Sequence, residues 1–227
     1  MAVKSSFKNM TLCLLVICLV CSTLLALVYA VTKEPIEIST KARNEAAIKE
    51  VLPETASIID PDSTLTFNGK GYTYNIARDK DKTIVGYAIN VESVGFGGPI
   101  KMKVGITTDS LIWNVKVLSH AETPGLGAKC TEPAFSGQFQ KLDPSDPNNL
   151  KVTENGGKDG GKINAITAST ITSRAYSQGV ALAVEVFNAI KQAEAAARAQ
   201  SEDATVISSE EPSVIPSEVE ESKEMEE

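Results

Sequence analysis

The chain has 227 residues and a formal net charge of −7, with 22 Lys and Arg against 29 Asp and Glu. That length is enough to bury the core of one or two domains. The acidity is local, because residues 201–227 hold ten acids and one Lys, which leaves residues 1–200 near +2. No basic stripe with interleaved aromatics occurs, which argues against nucleic acid as a partner.

In chain order, the first element is apolar. No residue from Asn9 to Thr32 is charged, and Met10 to Val31 reads MTLCLLVICLVCSTLLALVYAV. As a helix those residues reach about 33 Å, enough for the hydrocarbon core of a bilayer. The alternative is a cleaved signal peptide, for which VYA before Val31 offers a small-residue site. The run is longer than the usual apolar core of about 7–15 residues. No lipobox precedes Cys18 or Cys21, since Ile17 and Val20 are too large. The expectation is a cytoplasmic head at 1–9 and a retained single-pass anchor at 10–31 in the lipid bilayer. Lys4 and Lys8 flank it on one side, and Lys33, Lys41, Arg43 and Lys49 on the other, so positive charge alone does not orient it. A short head inside and a large domain outside fits. Cys13, Cys18 and Cys21 lie in the span as small packing residues, and their C-x-x-C spacing is read as inert. Cys130 is then alone in residues 32–198, which excludes a disulfide within that domain.

The segment ISTKARNEAAIKEVLP predicts a short helix. Ser39 or Thr40 caps it, Ala42, Ala46, Ile48 and Val51 follow helical spacing, and Pro53 stops it. Next, YTYNIA, the charged turn RDKDK and TIVGYAINV predict a hairpin. IKMKVGIT alternates, placing Ile100, Met102, Val104 and Ile106 on one face, and LIWNVKVL does the same for Trp113, Val115 and Val117. An apolar sheet face needs a cover. The segment after Thr170 supplies one, with Ile171, Ala175, Leu182, Val186 and Ile190 at helical spacing to about Arg198. The fold class is therefore α+β, a twisted antiparallel sheet packed on helices. Residues 199–227, acidic and without aromatics, are expected to form a disordered tail.

Several loops carry chemistry-bearing residues. GGKDGGK, 156–162, matches the start of a phosphate-binding loop, but Ile163 replaces the metal-binding hydroxyl and KVTEN is a poor buried strand, so a turn is predicted. VGFGGPI, 94–100, suits either a tight turn or close approach of a flat ligand. In HAETPGLG, 120–127, His120 and Glu122 are either an acid/base or metal pair, or His120 merely orders the loop. Too few further ligands exist for a metal site, and none is assigned. Finally INAITASTITSRAYSQGV crowds Thr167, Ser169, Thr170, Thr172 and Ser173 at the start of the long helix. Free N–H groups and the helix dipole favour an anion there, phosphate above all. Arg174, one turn in, adds a charged contact. A simple cap explains one hydroxyl, not five.

Together VGFGGPIKMKVGI, LSHAETPGLGAK and INAITASTITSRA, in this order behind one N-terminal span, resemble the G subunit of the Rnf electron-transport complex. That family is related to the C subunit of the Na⁺-translocating NADH:quinone reductase, and both contain an FMN-binding domain. The resemblance covers nearly all of residues 8–198. In the family, the last Thr of a [Ser/Thr]-Gly-Ala-Thr motif carries FMN through a phosphoester bond installed by a flavin transferase. The matching residues are Thr167-Ala168-Ser169-Thr170, so the resemblance implies covalent FMN on Thr170, with Ser169 as the competing acceptor. Ala168 stands for the motif's Gly, Ser169 for its Ala, and Asn164 for a usual Asp. Further implied cofactor contacts are Thr167, Ser169, Arg174, Glu122, Thr123, Gly125, Leu126 and Gly127. No catalytic residue is implied, because the flavin performs the electron transfer and activity belongs to the assembled complex.

The implied protein is an anchored flavoprotein of the bacterial cytoplasmic membrane with its domain on the extracytoplasmic side. Its implied partners are the integral-membrane and iron–sulfur or flavin subunits of an ion-translocating complex. The span holds no ionisable residue that would mark an ion path. Other possibilities are the C subunit of the quinone reductase, a standalone anchored flavoprotein, and an interaction module without flavin.

Overall fold

A computed structural model describes residues 7–154 and 157–207. Helix α1 runs unbroken from Phe7 to Val51, about 68 Å at 1.5 Å per residue. It merges the expected anchor and the expected short helix into one element. Thr40 shows why no cap forms: its hydroxyl donates to the Ile36 carbonyl at 2.8 Å, back along the helix instead of to a downstream N–H. Pro35 lies inside α1, where it lacks an N–H to donate and the helix continues around it. The apolar stretch is long enough to cross a membrane, and none of it is buried inside the protein. The helix already begins at Phe7, within the expected head, while the rest of that head lies outside the described residues.

The end of α1 turns inward. Ile48, Val51 and Leu52 are buried and pack with Ala77 and Ala88. Beyond it come β1 (Ile58–Ile59), β2 (Ser63–Phe67), β3 (Lys70–Arg78), β4 (Ile84–Val94), β5 (Pro99–Thr107) and β6 (Ile112–Ser119). They form one antiparallel sheet in the order β1-β3-β4-β5-β6, with β2 also paired to β3. β1 and β2 escaped sequence reasoning, although Asn68-Gly69 between β2 and β3, with φ of 50° and 74°, is a strong hairpin signal.

Both faces of the sheet are covered. The expected face of Ile100, Met102, Val104 and Ile106 is buried to within 1% exposure. On β6 the alternation shifts, because Gly105 pairs with Asn114 and Ile106 with Ile112, leaving Trp113 in a bulge. Ile112 therefore takes the inward position expected of Trp113, whose ring meets the Lys141 ammonium at 5.1 Å. The cover is the part of α3 (Thr170–Ile207) up to Phe187. Gly179 brings its backbone close to Met102, and Phe187 meets Tyr87 edge-on at 5.4 Å. On the other face the Val51 carbonyl approaches Gly105 so closely that any Cβ there would collide with it.

That second face also holds a charge. Lys103 is fully buried, and its ammonium donates to Asn75 Oδ1 at 3.2 Å, while Asn75 Nδ2 donates to Asp62 Oδ1 at 2.6 Å. Burial pulls the Lys103 pKa down to about 8, and the Asp62 carboxylate acts against that shift.

Between β6 and α3 lie α2 (Pro133–Ser136) and short 3₁₀ turns. A two-residue parallel pair follows, β7 (Val152–Thr153) with β8 (Ile163–Asn164). The segment 157–162 of the glycine-rich stretch leads into β8 and not into a helix, which removes the architecture a phosphate-binding loop requires. Helix α3 continues nine residues past the expected boundary at Arg198, to Ile207. The remainder of the expected disordered tail, 208–227, lies outside the described residues.

Candidate functional site

The site is built where the start of α3 meets two loops. Ala168 precedes the helix with φ +59°, a left-handed conformation that favours glycine. The turn is closed by Ser169 N–H donating to the Ile166 carbonyl at 2.9 Å. It is then tied to the helix by Ser173, whose Oγ accepts from Ile166 N–H at 2.9 Å and donates to the Ser169 carbonyl at 3.0 Å. The first backbone bond of the helix runs from Ser173 N–H to Ser169 O. The N–H groups of Thr170, Ile171 and Thr172 precede that bond and have no carbonyl a turn earlier in the helix to receive them.

The five clustered hydroxyls consequently divide. Ser173 and Thr172 are buried and act internally. Ser169 is buried and Thr170 half-buried, and both line a cavity of about 470 Å³. Thr167 lies outside it, on a separate groove beside Phe135 and Gln138. Arg174 also lies away from it: its exposed guanidinium pairs with Glu154 Oε1 at 3.2 Å.

Opposite elements complete the cavity. Phe96 comes from the β4–β5 loop, Glu122, Thr123, Leu126 and Gly127 from the segment after β6, and Ala168 to Thr172 from the start of α3. Gly125, in the same turn at φ +78°, is not among the lining residues. Sequence reasoning missed Phe96 and Ile171. The first carried a signal, a lone aromatic between Gly95 and Gly97; the second shares the helical spacing of the buried stripe, which hides its different role. Both are strongly exposed, 72% and 58%, and Leu126 is 44% exposed. Three apolar side chains from three elements thus face one opening.

Glu122 holds these elements together. Its carboxylate is buried, with Oε1 accepting from Gly97 N–H at 3.2 Å and Oε2 accepting from the Thr172 hydroxyl at 2.8 Å. A Cβ at Gly95 or Gly127 would collide with its oxygens, and one at Gly97 with the Ala121 carbonyl. The glycines of VGFGGPI therefore admit the Glu122 segment, and the expected tight turn is present, with Gly95 N–H donating to the Gly98 carbonyl at 2.9 Å. His120 does not join Glu122 in an acid/base pair. Its Nδ1 accepts from Glu122 N–H at 3.3 Å, and its ring lines another cavity with Arg43 and Lys116. That bond is the loop-ordering role.

Beneath the site, Phe135, Phe139 and Tyr176 form a ring cluster with centroids 4.9 to 5.7 Å apart. Cys130 is buried, and burial, then the Glu122 carboxylate, pushes its thiol up to about 11. A thiol held protonated is a poor nucleophile. Gln138 exchanges two hydrogen bonds with the Asn164 backbone, at 2.8 and 3.2 Å, and so fixes the strand that leads into the 166–170 turn.

What the arrangement offers is a polar, N–H-rich floor with apolar, exposed walls. Among the described residues no Lys or Arg lines it, and the one acid that does is engaged by Gly97 and Thr172. Its volume is within the usual range for small-molecule sites, about 300–1,000 Å³.

Comparison with known proteins places this region within a described family. The FMN-binding domain family matches residues 95–185, which include every lining residue. The G subunit of the ion-translocating oxidoreductase complex of Methanosarcina acetivorans is 34% identical over 180 residues, covering 78% of this chain and 92% of the relative. The G subunit of the proton-translocating ferredoxin:NAD(+) oxidoreductase complex of Clostridium ljungdahlii is 33% identical over 184 residues, 78% of this chain and 88% of that one. Among solved structures, the C subunit of the Na(+)-translocating NADH-quinone reductase of Parabacteroides distasonis is similar with a TM-score of 0.44 and 20% identity, over 61% of this chain and 77% of that chain.

Proposed function

The chain belongs to the G-subunit family of ion-translocating oxidoreductase complexes, and from that premise we propose that it is a membrane-anchored FMN protein relaying electrons within such a complex. One observation carries the site assignment: Thr170 lines a cavity at a helix start inside the FMN-binding match. When bound, FMN supplies the acceptance and release of electrons one at a time. The protein's part is to hold it.

The residues present suit that group. The N–H groups of Thr170 to Thr172 and the positive end of α3 favour a phosphate, and Phe96, Leu126 and Ile171 offer apolar contact to a flat ring. A lining without Lys or Arg among the described residues suits an esterified phosphate. A free FMN phosphate carries nearly two negative charges, whereas a diester to Thr170 carries one and is held by a bond. Thr170 is the acceptor in this proposal, loaded by a flavin transferase, and Ser169 is the neighbour that would replace it. Thr123 lines the same cavity and would contact the flavin. Arg174 and Thr167 act outside the cavity, and Glu122 acts by positioning.

The long apolar helix α1 anchors the domain in the bacterial cytoplasmic membrane, with the short N-terminal head on the cytoplasmic side and the domain on the outer side. A covalent flavin suits that side, because a dissociable one would be lost. The partners are the other members of the complex, which supply the ion path.

Mass spectrometry of the Thr170-containing peptide, after co-expression with a flavin transferase, tests this. The expected result is the mass of FMN less one water on the wild type, kept in Ser169→Ala and lost in Thr170→Ala. An unmodified wild-type peptide under those conditions would overturn the proposal.

A further inference from the structure

Phe96 is an exposed aromatic on a loop that has no freedom to hide it. We infer that Phe96 is a positioning residue for the isoalloxazine ring, docking against it and shielding it from water, an inference that rests on FMN being held at Thr170.

The loop is fixed at both flanks of Phe96. Gly95 N–H donates to the Gly98 carbonyl at 2.9 Å, and Gly97 N–H donates to Glu122 at 3.2 Å. Gly95 and Gly97 both lie flush against the Glu122 segment, with no room for a side chain. The same Glu122 carboxylate receives the Thr172 hydroxyl two residues beyond Thr170. One carboxylate therefore sets the position of the Phe96 loop relative to the proposed attachment helix. With the backbone held on both sides, the side chain has only its own rotamers left, and it is presented 72% exposed on the cavity that Thr170 lines.

Such a residue wants a flat partner. Aromatic rings gain from offset or edge contact with another π-system beyond the area they bury, and FMN supplies a π-system of that kind. Leu126 and Ile171 border the same opening but are aliphatic, so among the lining residues Phe96 alone brings an aromatic ring. A phosphoester at Thr170 fixes only one end of the cofactor, and a second hold is needed to keep the ring from swinging into water.

The test uses the full chain, solubilised and flavinylated by co-expression, as wild type, Phe96→Ala and Phe96→Tyr. Peptide mass first establishes the FMN adduct in each. Visible-region circular dichroism of the flavin and quenching of its fluorescence by iodide then report ring docking, independently of electron transfer. Loss of one aromatic contact lowers the docked-to-free ratio of the ring about three- to tenfold. Phe96→Ala is therefore expected to show a weaker dichroic signal and to be quenched more readily than wild type, with Phe96→Tyr restoring both. Equal dichroism and equal quenching in fully loaded wild type and Phe96→Ala would overturn the inference while leaving the attachment intact. A wild type without the adduct would instead remove its premise, and the inference with it.

Discussion

The Thr172 hydroxyl donates to the buried Glu122 carboxylate at 2.8 Å, joining the first turn of α3 to the segment that follows β6. Through its other oxygen Glu122 also receives Gly97 N–H, so one side chain links three parts of the chain that are far apart in sequence. Removing it as Glu122→Ala leaves the buried Thr172 hydroxyl without its acceptor and frees the part-buried Gly97 N–H, at a cost of about 1–3 kcal/mol. Glu122→Gln keeps the shape and one acceptor oxygen and should cost less. Urea unfolding of the two variants checks the order, and equal stability of Glu122→Ala and wild type would remove the strut.

Ala168 lies at φ +59°. A left-handed conformation costs a residue with a Cβ about 1–2 kcal/mol, and glycine's extra unfolded-state freedom takes back about 0.5–1 kcal/mol. Ala168→Gly is thus expected to stabilise the domain by about 0.5–1 kcal/mol, visible as a raised denaturation midpoint at unchanged slope. A destabilised variant would show that the turn does not hold the strain assigned to it.

Lys103 makes stability depend on pH in an unusual direction. Its folded pKa is lowered from 10.5 to about 8, so between those values the unfolded chain binds more protons than the folded one. Stability from this group accordingly rises with pH through that window, and at pH 7 the buried ammonium is a net cost. At 1.36 kcal/mol per unit, and discounted for screening, the gain is on the order of 1–2 kcal/mol. Comparing unfolding of wild type and Lys103→Met at pH 7.5 and pH 10 isolates it. The stability gap between them should shift toward wild type at the higher pH.

Arg174 pairs with Glu154 on the surface, both side chains more than half exposed. Pairs of that kind contribute about 0.2–1 kcal/mol. Arg174→Ala should therefore leave both flavin attachment, read by peptide mass, and stability within about 1 kcal/mol of wild type. Loss of the adduct in that variant would return Arg174 to the cofactor site.

Local patterns legible in the chain were those of short range. The apolar run of 10–31, the alternation in 100–107 and the helical spacing after Thr170 each follow from the period of one element, and the structure repeats them. The long apolar helix, the α+β class and the hydroxyl-rich helix start were therefore readable without coordinates, and three ordered motifs sufficed for the family. The bulge that swaps Trp113 for Ile112 was not readable, because it depends on how β6 pairs with β5. Neither was the division of the hydroxyls. Which of five neighbours faces a cavity is set by helix rotation against the sheet, and a one-residue step along a helix turns the side chain by about 100°. The glycines of the 94–100 loop were visible as glycines, but their neighbour, Glu122, lies 25 residues away from Gly97 and is brought there only by the closure of β5 and β6. Sequence by itself determined the two long helical patterns, strands β3 to β6 and what chemistry their residues carry. The tertiary structure alone decided that Thr170, Phe96 and Leu126 share one opening while Thr167 and Arg174 do not, because side-chain direction is a property of packed elements and not of spacing.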